Sequence, residues 1–161
     1  MVDGPTVVRA IEGAGFTHVV WIPDSHLGTW DGVLRVSPKI MQIRATREGE
    51  AVAVAAGLML GGARPLVVVQ CTGFFEAGDA VRNVVHDLGL PLKMIVGVRG
   101  WLARQRGKTG DNCPRFAEPL VRAWDIPAVW FDPTTRSPAD CELALQMLAT
   151  GSGSAAILWA E

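Results

Sequence analysis

Glu48-Gly49-Glu50-Ala51-Val52-Ala53-Val54-Ala55-Ala56-Gly57-Leu58-Met59-Leu60, closed by Gly61-Gly62 and followed by Pro65-Leu66-Val67-Val68-Val69-Gln70, is the stretch that decides the fold. The first run is rich in alanine, carries two acids where a first turn would fall and ends on glycines, which predicts a helix over 48–60. The second is short and continuously apolar, which predicts a strand buried on both faces. Upstream, Ile40-Met41-Gln42-Ile43 reads as another strand, so the unit is strand–helix–strand. The alternation continues in both directions. Asp3 and Pro5 open a helix as N-cap and first-turn residue, Val7, Val8, Ala10 and Ile11 recur at helical spacing, and Gly13 and Gly15 end it. His18–Ile22 is a strand stopped by Pro23, and Leu27–Val36 a short, weak helix. Beyond Gln70, helices are expected at 78–88, 116–124 and 138–150 and strands at 92–97, 128–131 and 155–159, with 98–114 polar and irregular. Six strands alternating with helices give an α/β chain: three αβα layers around a mostly parallel six-stranded sheet. Right-handed crossovers bring the strand-to-helix loops to one edge, and ligands of such sheets sit outside the carboxyl ends of the strands. The site is therefore expected among Pro23–Thr29, Arg44–Glu50, Cys71–Asp79 and Val98–Pro114.

The chain has 161 residues, 49% hydrophobic and 19% charged, the size of one domain, 1–161. Fifteen Lys and Arg against sixteen Asp and Glu leave a net charge of −1, without the basic footprint of a nucleic-acid binder. Cys71, Cys113 and Cys141 are odd in number and widely spaced, which fits neither a disulfide frame nor a zinc site. No apolar run reaches the ~18 residues of a membrane span. Met1-Val2-Asp3-Gly4-Pro5 is unlike a signal peptide. A soluble, cytoplasmic protein is expected, with no metal ligands of its own.

Three loops hold polar residues that could carry chemistry. Asp24, Ser25 and His26 follow the first strand; they could orient a ligand or move protons, and equally Asp24 or Ser25 could simply cap the next helix. His18 and His86 read as structural. Glu48 and Glu50 either complement the positive end of their helix or place a carboxyl at the apolar edge of a cleft, where desolvation makes it a proton donor or hydrogen-bond partner. Cys71-Thr72-Gly73-Phe74-Phe75-Glu76-Ala77-Gly78-Asp79 has small residues that let a ligand approach the backbone, and Phe74 and Phe75 are expected to line a pocket or an exposed interface. Gly-x-Gly-x-x-Gly, the P-loop and Gly-x-Ser-x-Gly are all absent, which argues against a general nucleotide-binding domain and a serine hydrolase.

Thr46 to Gly57 followed by Pro65 to Gln70 resembles the pyrimidine-binding domain of thiamine-diphosphate enzymes, in the subgroup of the sulfopyruvate decarboxylase alpha subunit and the phosphonopyruvate decarboxylases. Ile22-Pro23-Asp24-Ser25 and Val98-Arg99-Gly100 match in the same order, and Gly57 stands nine positions after Glu48 as in the family pattern. The resemblance implies that Glu48 hydrogen-bonds a ring nitrogen of the cofactor's aminopyrimidine and promotes its imino tautomer. It implies that Gln70, Thr72 and Gly73 lie at the pyrimidine, that Asp24 and His26 assist protonation after carbon dioxide leaves, and that Ser25 faces the substrate. Arg99 becomes a candidate for the acidic tail of a small 2-oxo acid, with a fork suited to sulfonate or phosphonate.

Departures accompany the match. Cys71 stands where the family has Asn and Thr72 where it has Ser, and Phe74, Phe75 and Glu76 replace its Leu-Gly-Asn. The Gly-Asp-Gly…Asn motif that binds magnesium and diphosphate in the superfamily is absent from the sequence. The expectation is the alpha-type subunit of a thiamine-diphosphate-dependent decarboxylase (a lyase). A beta-type partner would hold diphosphate and Mg2+, in a hetero-oligomer, with self-association also allowed. The alternative is a non-catalytic or regulatory subunit that keeps the fold and the pairing surface.

Overall fold

A computed structural model describes residues 2–161. Six strands, β1 (His18–Trp21), β2 (Met41–Arg44), β3 (Pro65–Gln70), β4 (Lys93–Val98), β5 (Ala128–Phe131) and β6 (Ala155–Ala160), form one sheet in the order β2-β1-β3-β4-β6-β5. Every neighbouring pair is parallel, so the expected mostly parallel sheet is parallel throughout. The helices are α1 (Gly4–Gly13), α2 (Asp31–Val36), α3 (Glu48–Leu60), α4 (Cys71–Glu76), α5 (Gly78–Arg82), α6 (Trp101–Gln105), α7 (Cys113–Ala123) and α8 (Pro138–Thr150).

Side-chain alternation along the strands divides the core in two. Leu66 and Val68 of β3 pack with Val7, Ile11, Trp21, Leu145 and Trp159 under α1 and α8. Val67 and Val69 point the other way, to Ala51, Val52, Phe74, Val81 and Val121 of α3, α4, α5 and α7. Local chemistry starts the helices where expected. The Asp3 carboxylate accepts from Thr6 N at 2.9 Å with Pro5 in the first turn of α1. Ser137 and Asp140 form a reciprocal capping box at α8, each side chain accepting from the other's backbone N–H.

Three segments differ from expectation. Leu27–Val36 is split into a 3-10 turn at Leu27–Trp30 and α2, because Asp31 begins a new helix that Arg35, Gln42 and Arg44 hold through its carboxylate. The 78–88 helix changes from α5 to a π-helical turn at Asn83–Asp87, with Arg82 bridging Asp79 and Asp87. Within 98–114, α6 begins after Gly100, whose φ of +75° suits a residue without Cβ, and Trp101 stacks on Trp130 with centroids 3.8 Å apart. At the amino edge of the sheet the buried Lys93 donates from Nζ to the Gly151 and Gly153 carbonyls. Burial holds that ammonium below its ordinary pKa. The two histidines expected to be structural are locally engaged: His86 Nε2 donates to the Trp124 carbonyl at 2.9 Å, and His18 Nδ1 shares a hydrogen bond with the Thr17 hydroxyl. No helix is long and apolar enough to cross a membrane among the described residues.

The Cys71–Asp79 segment requires a correction. It is not an exposed loop: α4 follows β3 directly, and Phe74 is only 1% exposed, packed among the apolar groups of α3, α5 and α7. The reason is burial, since a full aromatic ring removed from water outweighs the cost of starting a short helix after a strand. Phe75 alone stays partly accessible. Phe74→Ala is therefore expected to lower the unfolding free energy of the isolated chain by about 3–5 kcal/mol. Urea denaturation measures this; an interface role without core packing predicts no change in the chain by itself.

Candidate functional site

The chain leaves β1 toward β2 on one side and returns to β3 on the other, so the strand order reverses between the parallel neighbours β1 and β3. That is where open parallel sheets leave a crevice at their carboxyl ends. Asp24 stands beside it. Its Oδ1 accepts from the backbone N–H of His26 at 2.8 Å and of Leu27 at 2.7 Å. Its Oδ2 accepts from Gln70 Nε2 at 3.2 Å, and Gln70 Oε1 accepts from the Thr72 hydroxyl at 3.0 Å. Asp24 thus caps the turn, as its plain alternative had it, and also reaches across to β3. Ser25 and His26 are exposed on the same loop.

The N-terminus of α3 meets the first turn of α4 at this edge. Glu48 is half-buried, and its carboxylate lies directly against the Gly73 backbone. A Cβ at Gly73 would overlap that carboxylate, so the approach exists only because position 73 lacks a side chain. Among the hydrogen bonds of the described residues none engages the Glu48 carboxylate, and the N-cap Arg47 supplies no side-chain cap to α3. Glu50, two residues on, is satisfied locally: Oε2 accepts from Thr46 N at 2.8 Å and Thr46 Oγ1 at 2.7 Å, which holds its pKa below the usual value. The two acids therefore have different fates, Glu50 closing its own turn and Glu48 lying over a glycine. Glu76 forms an ion pair with Arg47, so the acid that accompanies Phe74 and Phe75 has a cationic partner.

Arg99, after β4, donates from Nε to Asp111 Oδ2 at 3.0 Å while its side chain stays about half exposed, at 48%. Asp111 also accepts from Cys113 N at 2.9 Å, and its carboxylate is held below the ordinary range by that bond and by Arg99. Cys71 is fully buried beside Cys113, and its thiol is pushed up to about 12 by burial and by that neighbour. It offers no ready nucleophile. No group of three or more His, Cys, Asp or Glu is placed to hold a metal ion among the described residues.

Glu161 was missed by sequence reasoning. It follows β6, its N–H donates to the Val98 carbonyl at 3.3 Å and its carbonyl accepts from Leu102 N at 2.8 Å. Its side chain folds over Gly97 of β4 against Leu27, and a Cβ on Gly97 would overlap the carboxyl. Only 7% exposed, it has no hydrogen-bond partner for either oxygen; the other buried orphan among the described residues is Trp21 Nε1. Burial, with the charge of Asp24 facing it, raises its pKa to about 8. The available signal was its register: Gln70, Gly97 and Trp159 are paired across β3, β4 and β6, so Glu161 ends a row that shares one sheet face. Away from this edge, a groove of about 340 Å³ runs between α8 and β5, lined by apolar residues such as Trp130, Leu143 and Met147. Its acid, Asp140, is engaged in the α8 capping box with Ser137.

No family model matches the chain. It is 28% identical over 135 residues to the sulfopyruvate decarboxylase alpha subunit of Methanococcus maripaludis, covering 83% of this chain and 78% of that one. It is 30% identical over 100 residues to a phosphonopyruvate decarboxylase of Streptomyces viridochromogenes, covering 62% of this chain and only 25% of that protein. Among solved structures, benzoylformate decarboxylase from Polynucleobacter necessarius superposes with a TM-score of 0.66 at 16% identity, over 99% of this chain and 30% of that one. The thiamine diphosphate-dependent 4-hydroxybenzoylformate decarboxylase of Rhodococcus jostii does so with 0.65 at 17% identity, over 98% and 29%. The chain is thus a homologue of the sulfopyruvate and phosphonopyruvate decarboxylases and carries the parallel α/β fold found in part of these larger decarboxylases.

Proposed function

We propose that this chain, 1–161, is a pyrimidine-binding domain that acts as the alpha-type subunit of a thiamine-diphosphate-dependent decarboxylase of a small 2-oxo acid, sulfopyruvate- or phosphonopyruvate-like. The observation that carries the proposal is Glu48: a half-buried carboxylate without a hydrogen-bond partner among the described residues, seated on a glycine at the carboxyl edge of a parallel sheet. The naming of relatives as decarboxylases, and of one as an alpha subunit, supports the same reading.

The arrangement fits the pyrimidine end of the cofactor. Thiamine diphosphate, when bound, supplies the electron sink that accepts the carbanion left by decarboxylation. Glu48 holds a hydrogen bond at a ring nitrogen and controls the proton there, a task suited to a carboxyl with no competing donor. Gly73 gives Glu48 its position, and Gln70 and Thr72 present polar edges beside it. Ser25 and His26 face the substrate from the β1 loop, and Asp24 and His26 return a proton to carbon after carbon dioxide departs. Arg99 keeps donors free beyond its Asp111 bond for an anionic substrate tail. Mg2+ and the diphosphate are held by a beta-type partner subunit, so the working site lies between chains. The non-catalytic subunit is the competing reading.

Glu48→Gln should reduce turnover of the complex between this chain and its co-purifying partner by about 100- to 10,000-fold while assembly persists. Steady-state rates with sulfopyruvate and phosphonopyruvate check this, and near-normal rates remove the assignment. Gly73→Ala keeps helical φ/ψ available to α4 but displaces Glu48, and should cost on the order of 100-fold in turnover with the circular dichroism spectrum retained. Thiamine diphosphate with Mg2+ should raise the melting temperature of the same complex. An unmoved melting curve favours the non-catalytic subunit.

A further inference from the structure

The segment that follows β4 concentrates charge that the function proposed above uses only at Arg99. The stretch from Arg99 to Arg115 holds five cations, Arg99, Arg104, Arg106, Lys108 and Arg115, and one acid, Asp111. The rest of the chain holds ten Lys and Arg against fifteen Asp and Glu, so a local charge of +4 stands against −5 elsewhere. Pairing does not neutralise it. Arg99 has Asp111, but Arg104, Arg106, Lys108 and Arg115 are exposed and none forms an ion pair among the described residues. Arg35, Arg44, Arg47, Arg82 and Arg122, outside the stretch, all have acidic partners. The stretch is also tied to the carboxyl edge of the sheet. Leu102 N–H donates to the Glu161 carbonyl at 2.8 Å, just after β6, and Trp101 stacks on Trp130 of β5. At the tip, Gly107 takes a φ of +65° and the chain closes back on α6, Lys108 N–H donating to the Ala103 carbonyl at 2.9 Å. Arg104 Nη1 donates to the Asp111 carbonyl at 3.3 Å, a bond that leaves its charge in place.

We propose that this stretch is an electrostatic guide: Arg104, Arg106, Lys108 and Arg115 draw a small polyanion to the carboxyl edge, where Arg99 receives its acidic tail, and so favour 2-oxo acids with a second acid group over those without one. Unpaired charges of one sign beside a crevice raise the local concentration of oppositely charged solutes and speed their arrival. Their field reaches about 8–10 Å at moderate salt, so the guiding residues act without touching the ligand. The cations occupy one short stretch beside the ligand edge and not a broad face, which suits a small anion better than the surface of another protein. The choice of substrate rests on the decarboxylase reading. The positive field does not, because it belongs to this chain alone.

Paramagnetic relaxation of the isolated chain measures the field. At low salt an anionic nitroxide should relax the backbone amides of 101–115, and those of Ser25, His26 and Gly73, about 3-fold more strongly than a cationic nitroxide of the same size. The contrast should collapse at about 0.5 M NaCl and in the triple variant Arg104→Gln, Arg106→Gln, Lys108→Gln. Steady-state kinetics of the complex with the co-purifying partner measure the guidance. The triple variant should raise KM for sulfopyruvate by about 10-fold at low salt, with kcat within about twofold of wild type. Wild-type kcat/KM should fall with ionic strength, more steeply at pH 8 for phosphonopyruvate, whose phosphonate carries nearly one charge more than a sulfonate, and the triple variant should lose most of that slope. Equal relaxation by the two nitroxides, or a KM that the triple variant leaves in place, overturns the proposal. So does dissociation of the variant complex on a sizing column, which would make the stretch a protein-docking surface. Failure of the Glu48→Gln test would leave the nitroxide contrast standing, so the two readings fail separately.

Discussion

A carboxylate can sit where a residue's Cβ would be only if that residue is glycine. The rest of the carboxyl edge is arranged around two such places. Glu48 rests on Gly73 at the start of α4, and Glu161 rests on Gly97 in β4. In each case the glycine brings an acid from a distant part of the chain into a crevice it would otherwise be too bulky to enter. Gln70, between them in sequence and in space, links the two regions through Thr72 on one side and Asp24 on the other. The parallel register makes this possible, since it aligns the carboxyl ends of β1, β3, β4 and β6 so that their terminal residues become neighbours.

The architecture was readable because it rests on short-range patterning. The Ala-rich run from Glu48 to Leu60 and the Val run of β3 have one interpretation each, and their boundaries agree with the structure. Asp3 and Pro5 mark α1 for the same reason: caps are local chemistry. Phe74 shows where such reading ends. Two adjacent aromatics after a strand look like exposed surface, and only the packing of α3, α5 and α7 above them reveals that the first is core and the second partly accessible. Asp31 likewise breaks the 27–36 segment through partners at Gln42 and Arg44, which propensity along one segment cannot register.

The candidate site divides along the same line. Glu48, Gln70, Thr72 and Gly73 stand in a recognisable string, and so does Asp24 with Ser25 and His26. Glu161 carries no such string. An acid after a strand reads as solvated, and its burial depends on Gly97, sixty-four positions away, and on Leu27 still farther off. Arg99 was legible as a cation in a site loop, but its engagement by Asp111 was not, because the loop between them folds back through α6.

Lys93 sets the opposite edge apart. Its ammonium is enclosed by the Gly151 and Gly153 carbonyls, in the turn that joins α8 to β6. That turn works as a clasp of fixed length. Lengthening it would leave the buried ammonium short of acceptors. The molecule is therefore asymmetric end to end. At the carboxyl edge, Glu161 is left without a partner among the described residues, and so is Glu48. Where the strands begin, the buried ammonium of Lys93 has two carbonyl partners, and the connection from α8 to β6 has little freedom to drift in length.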